Sequence, residues 1–406
     1  MQLSAEVKPL FGVFVVSFLF ILGTAVTRPL RPIYFVEVGT KPFQLGLIMA
    51  LPSLVALLTR VPISTFSNKL GKWRLMLLSL TLSAATLALF AFIYDPIWFF
   101  PIVSLAALSW SVFSPIVIEI ISNQATPSTR GATMGLYFTS IGAALFIGPL
   151  LSSFFTLFME LRQLFLVSTI FPTLSLVVFL MMFRQNEMKN SQNVITEGDG
   201  RTRVGVWDSL ARVFRIKNVI ALCCARIAFS LSMGVFITIF PIYTESQLGF
   251  TASLISLLFS IRGITNLIIR MPAGRISDNI GRKKPFLLAY GIIIIVFSIL
   301  PTVKNFTLIS IVMALYGIGW GMRVAPSTAL LIESVTSEDR TLALSVYMTM
   351  FDIGSTIGAL LAGFTVSILS GGTPMLICVP IMLTALIVFL HLSREAVPHA
   401  LSVGEL

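Results

Sequence analysis

Gly274-Arg-Ile-Ser-Asp-Asn-Ile-Gly-Arg-Lys-Lys284 lies between two long apolar segments, and its reading decides the fold. Gly274 and Gly281 allow tight turns and close backbone approach. Asp278 is a lone acid, and Arg282, Lys283 and Lys284 gather positive charge at the edge of an apolar run. A second copy begins 210 residues earlier, where Arg60-Val-Pro-Ile-Ser-Thr-Phe-Ser-Asn-Lys-Leu-Gly-Lys-Trp-Arg74 aligns with the stretch from Arg270 to Lys284. Arginine, proline, serine and glycine recur in register, so Gly71 and Lys72 stand opposite Gly281 and Arg282. Ser64 replaces Gly274, and Asn68 replaces Asp278. The same offset pairs Trp110 with Trp320, Arg130 with Arg340, Tyr137 with Tyr347 and Gly148 with Gly358. A constant offset over several segments marks an internal duplication.

The chain of 406 residues is 56% hydrophobic and only 11% charged, with a mean hydropathy of +0.95, which reads as a polytopic membrane protein. Apolar windows of about 20 residues predict spans. They fall at 10–28, 43–66, 75–94, 97–121, 130–157 and 163–183, then at 219–243, 251–276, 286–303, 307–332, 341–369 and 374–392. The expected fold is all-α, with twelve transmembrane helices in two pseudo-symmetric halves. Residues 1–184 form the first half, 185–217 a linker and 218–406 the second half. Within the linker, Val206, Trp207, Leu210, Val213 and Phe214 recur at helical spacing. They fit either a short interfacial helix or a downward extension of span seven.

The formal charge of +11 falls in short loops rather than on an amphipathic surface, so it argues for membrane orientation and against nucleic acid. The crowded side carries Lys72, Arg130, Arg282, Lys283, Lys284 and Arg340, and it is expected to be cytoplasmic with both termini. The apolar run after Lys8 lacks a small-residue cleavage site and reads as the first span. Cys223, Cys224 and Cys378 lie in apolar segments and suggest no disulfide framework. With only His391 and His399 present, neither a zinc site nor histidine-based catalysis is expected.

The stretch from Gly274 to Lys284 resembles the loop signature of the major facilitator superfamily, Gly-x-x-x-Asp-(Arg/Lys)-x-Gly-(Arg/Lys)-(Arg/Lys), with Asn279 at a position usually held by a cation. Span five, through Gly135, Gly148 and Pro149, partly resembles that family's antiporter signature, with Ala144, Ser152 and Ser153 at positions usually held by glycine. The resemblance implies a cofactor-free secondary transporter in a cell membrane, working as a monomer by alternating access. Its partners would be a small-molecule substrate, the lipid bilayer and a proton. Span five points to efflux. The resemblance also implies that Asp278 faces the N-terminus of span five from the other half. Together with Asn68, Gly71, Lys72, Glu119, Arg130, Gly274, Gly281, Arg282, Lys283, Glu333 and Arg340 it would form a cytoplasmic gate. Leu105 to Ile118 holds no arginine, whereas proton-coupled exporters of the family often carry one there.

Charges within spans are costly and mark substrate or coupling sites, or structural pairs. They are Arg226, Arg262, Arg323 and Asp352, with Arg28 near the outer end of span one. The excess of arginine over acid suggests an importer or exchanger of an organic anion as the alternative to efflux. A membrane-embedded enzyme needs paired acids or a metal site at depth, and Asp352 is the only acid near mid-depth. No phosphate-cradling Gly-x-x-x-x-Gly-Lys-(Ser/Thr) loop is present to support ATP-driven pumping. A reporter at the C-terminus or at Asn193 should be cytoplasmic and one at Gly371 external. External labelling of Asn193 would overturn this orientation.

Overall fold

The computed structural model describes residues 8–124, 130–182, 206–369 and 371–393. Side chains at 8–9, 60–61, 64–70, 124, 130–132 and 206–209 lie outside that description. The first half contains α1 (Lys8–Thr27), a short α2 (Arg31–Glu37), α3 (Pro42–Leu70), α4 (Lys72–Phe90), α5 (Phe99–Gln124), α6 (Arg130–Phe155), α7 (Leu161–Ser168) and α8 (Ile170–Met182). After α9 (Val206–Arg215), the second half contains α10 (Lys217–Ser246), α11 (Ala252–Ile280), α12 (Lys283–Ile299), α13 (Phe306–Glu333), α14 (Arg340–Val366) and α15 (Cys378–Leu392).

Lipid offers no hydrogen bonds to the backbone, so segments apolar on all faces satisfy it internally as helices. Among the described residues, eleven stretches are long and apolar enough to cross a membrane, with α7 and α8 together forming one of them. The 17 residues of α12 would reach about 25 Å at 1.5 Å per residue, within the lower range for a span. It joins the basic end of α11 to the opposite end of α13, so it crosses as well. The interruption between α7 and α8 falls beside Pro172, whose missing N–H leaves the carbonyl of Ser168 without its helical partner.

Gly71 and Gly281 occupy the same position in the two repeats and adopt φ of 81° and 88°, a left-handed turn that other residues enter only with strain. Gly274 has open space where a Cβ would stand, so no close backbone approach occurs there. Of the two readings of the linker helix, the separate one holds. Ile216 is extended, with ψ of 115°, and parts α9 from α10. Val213 is fully buried, and Arg212 pairs with Asp339 at 3.3 Å, which docks α9 onto the second half.

The halves meet chiefly along α3 with α14 and along α6 with α11. A Cβ on Gly46 would lie 2.7 Å from the Cα of Gly363, so these two glycines bring α3 and α14 into backbone contact away from the basic loops. On the other seam Ser152 bonds Ser256 at 2.9 Å, Ser153 bonds Ser253 at 3.0 Å, and Ser260 donates to the Phe146 carbonyl at 3.2 Å. All three bonds lie in the first nine residues of α11, at the end away from the basic loops. Among the described residues, no ion pair joins the halves. Among the described residues, these side-chain bonds between the halves lie at the far end.

The small residues of α6 meet different neighbours. Gly135 touches nothing that a Cβ would meet, and Gly148 packs on Ala25 of α1 in its own half. Pro149 lies within a continuous helix. The contact between halves falls instead on Gly142, Leu145 and Phe146, against Leu267 and Gly263 of α11. Gly363→Val would overpack the far seam by about 1–3 kcal/mol, a strain relieved when the far end opens, and should shift the equilibrium roughly 5- to 150-fold toward that state. Spin labels at Lys41→Cys and Ile368→Cys would report the change. An unaltered distance distribution would show that this seam does not set the equilibrium.

Candidate functional site

Three guanidinium groups and one carboxylate occupy the interior of the second half. At 1.5 Å per residue, Arg226 lies about 14 Å from the basic end of α10, Arg323 about 15 Å from that of α13 and Asp352 about 18 Å from that of α14. Arg262 lies about 15 Å from the opposite end of α11. Arg323 is 1% exposed, with its guanidinium carbon 3.9 Å from the centre of the Phe229 ring. Its Nη1 donates to the Tyr347 hydroxyl at 3.3 Å, while Nε and Nη2 have no hydrogen-bond partner among the described residues.

Arg262 is 8% exposed and sits among Phe236, Phe259, Tyr316 and Trp320, with ring centres 4.8 to 5.5 Å from its guanidinium carbon. Its Nε and Nη1 are also without a partner. Gly317 makes this site possible, because a Cβ there would strike the Arg262 carbonyl and Thr265. Half-buried Arg226 lies over Tyr347 and Phe351, at 4.7 and 4.6 Å, and contacts Met348 Sδ at 3.8 Å. Its Nε is unpartnered.

Asp352 is buried and engaged, and its charge attracts Arg226. Gly354 brings its helix onto the Ile227 carbonyl and Ser230 of α10. Thus Arg226 and Arg323 come together at Tyr347. Arg262 is linked to them through Trp320, which lies 6.4 Å from Phe229. Arg28, exposed in the turn after α1, is near enough for its charge to oppose that of Arg262 from the other half.

The duplication has no charges at the matching positions. Val16, Pro52, Phe113 and Gly142 stand 210 residues before Arg226, Arg262, Arg323 and Asp352. Phe113 is fully buried and stacks on Phe20 at 3.9 Å, an apolar pairing where the second half places a cation on a ring. Sequence reading found the charges but not the rings around them. The offset that pairs Trp110 with Trp320 and Tyr137 with Tyr347 was the available signal.

At the basic end, each half carries its own ion-paired rim. Arg282 contacts Asp278, four residues earlier, and reaches Glu333 at 2.9 Å. These carboxylates, Asp278 first and Glu333 second, hold the Arg282 guanidinium above its ordinary pKa. In the first half, Lys72 pairs with Glu119 at 2.7 Å. Asp278 thus has a partner within its own half, and the side chains at the start of α6 that it is expected to face lie outside the described residues. Lys283 donates to the Ser393 carbonyl at 2.9 Å and ties down the end of α15 instead of facing the seam. Arg340 is exposed and has no ion pair among the described residues. The side chains of Asn68 and Arg130 lie outside the described residues. Among the described residues, no cluster of three or more His, Cys, Asp or Glu could hold a metal.

The sequence profile of the Major Facilitator Superfamily matches residues 13–229 and again 222–405. The multidrug resistance protein MdtG of Proteus mirabilis is 21% identical over 84% of this chain and 85% of its own. Multidrug resistance protein 1 of Bacillus subtilis is 21% identical over 85% and 86%. Among solved structures, the nucleoside transporter NupG superposes with a TM-score of 0.76 at 15% identity, covering 94% of this chain and 98% of that one. A bacterial homolog of the human lysosomal transporter Spinster, in an inward-facing and occupied conformation, gives 0.74 at 12% identity, covering 97% and 98%. At these identities the structures show a shared fold.

The two rims differ in burial, which sets their energetics apart. Lys72 is 4% exposed and Glu119 35%, so Glu119→Gln strands a mostly buried cation and should cost about 1–3 kcal/mol, below the 3–5 typical of fully buried pairs. Asp278 is 64% exposed, and Asp278→Asn should cost less than about 1 kcal/mol. Thermal unfolding of the purified variants checks the order. A larger loss for Asp278→Asn would refute it.

Proposed function

The chain belongs to the Major Facilitator Superfamily of multi-pass secondary transporters, which are not enzymes, and we propose that it is an efflux transporter that loads its substrate from the cytoplasm. The observation that carries this reading is the asymmetry of the seam. The far end is closed by Gly46 against Gly363 and by paired serines, whereas the described basic end has no bond or ion pair between halves. With the basic loops in the cytoplasm, the arginine-lined interior is then reached from inside the cell. The naming of two relatives as multidrug resistance proteins supports the same direction.

Transport follows from rocking the halves about the α3–α14 and α6–α11 seams. Closing the basic end brings the Lys72–Glu119 rim toward the Asp278–Arg282–Glu333 rim, and these paired charges form the cytoplasmic gate. Asp352, beside Arg226 at mid-depth, is the candidate group for coupling to protons.

Cells expressing the chain and preloaded with ethidium or carboxyfluorescein should lose one of these probes faster than cells without it. Faster uptake into energised cells would instead identify an importer. In proteoliposomes, Asp352→Asn should abolish the response to an imposed pH gradient while leaving substrate exchange intact. Normal pH-driven flux in a folded variant would remove Asp352 from coupling.

A further inference from the structure

We infer that Arg323, Arg262 and Arg226 form the recognition site for an organic anion, in which a carboxylate, sulfonate or phosphate is carried on an apolar or aromatic body. The inference rests on the reading of the chain as a transporter and names its substrate class. A guanidinium has two faces that stack on rings and edges that donate hydrogen bonds. The rings of Phe229, Phe259, Trp320 and Tyr347 lie 3.9 to 5.1 Å from the guanidinium carbons, and the Tyr347 hydroxyl accepts one donor of Arg323. The edges remain open: five nitrogens across the three arginines are buried without an acceptor among the described residues. Buried donors left in that condition are destabilising, and charged ones the most.

Arg323 shows most directly what would satisfy them. Its Nη1 is tethered to Tyr347, and the two open nitrogens, Nε and Nη2, share one edge of the group. Two parallel donors on one edge match the two oxygens of a carboxylate or of a phosphoryl or sulfonyl group. The local charge agrees, since three cations face Asp352 as the only acid near mid-depth, and Arg28 adds a further positive charge from the first half. A cationic substrate would meet repulsion from all of these, while Asp352 is already engaged. Phe351 and Trp320, both half-buried, offer apolar surface for the rest of the molecule.

The arrangement also fits export. An inside-negative membrane potential drives an anion outward, so the substrate class and the direction proposed above reinforce each other.

The test uses the full chain in a neutral maltoside detergent with three probes of one shape: 1-naphthoate, the neutral 1-naphthamide and 1-naphthylmethylammonium. Calorimetry and thermal shift should show naphthoate binding at least about tenfold more tightly than the amide, as expected for a charge-assisted bidentate contact. Arg323→Lys keeps the charge and removes the fork, and it should weaken naphthoate by about tenfold with little effect on the amide. Equal binding of acid and amide, preference for the ammonium, or no stabilisation by naphthoate at millimolar concentration would overturn the inference. The charge series on the unmodified protein decides the matter even if the variant fails to fold. Binding in detergent is indifferent to direction, so a failed efflux assay with intact anion selectivity would overturn only the export reading.

Discussion

A guanidinium in the middle of a bilayer persists only where its faces and donors are shielded from lipid, and the second half is built around three of them. The α10–α14 and α11–α13 contacts are close because Gly354 and Gly317 carry no Cβ. That closeness places Tyr347 against Arg323 and Arg226, and Tyr316 and Trp320 against Arg262. Each ring–cation contact contributes about 0.5–2 kcal/mol. That is less than the cost of burying a cation with open donors, so the site in this state is poised for something more than packing.

The duplication explains how one chain accommodates such a site. Both halves share the turn glycines at 71 and 281, and each has a basic residue that reaches an acid near the end of the neighbouring long helix. The scaffold needs these in both copies. The buried charges are needed in one only, and Phe113 stacked on Phe20 shows the apolar solution available at the position of Arg323. The first half thus packs apolar rings where the second half holds charges within its helices. Arg28 is the first half's cationic contribution from the far end.

The fold was legible in the sequence because lipid imposes a simple rule: spans must be apolar and long. The predicted span from 251 to 276 corresponds to a helix from Ala252 to Ile280, and that from 307 to 332 to one from Phe306 to Glu333. The short helix Arg31–Glu37 escaped because seven residues with an internal proline carry little periodic signal. The charges within the spans were legible for the same reason as the spans, since charge in an apolar run stands out. Their neighbours were not, because Phe229 or Phe259 in a membrane helix looks like any lipid-facing phenylalanine until the helices are brought together. The partners of the small residues in span five were not legible for a related reason. A small residue permits close approach without specifying its partner, and Ser152 and Ser153, which depart from the glycine pattern, are the residues that bond across the halves.

The charge of the site bears on how a transport cycle would be driven. Among Arg226, Arg262, Arg323 and Asp352 the empty site carries a net charge of about +2, and a bound monoanion lowers it to about +1, with each elementary charge worth about 2.3 kcal/mol per 100 mV across the membrane. If the site is exposed alternately to the two sides, the loaded step outward carries the smaller positive charge and the empty return inward carries the larger. An inside-negative potential opposes the first step less than it assists the second. The net movement is one negative charge outward per cycle, and the potential acts chiefly on the return of the empty carrier. Asp352 is central to this balance: were it protonated, the empty site would rise to about +3, and both steps would respond more steeply to the potential. A carboxylate in that place would set how strongly such a cycle senses voltage, whether or not it also carried a proton.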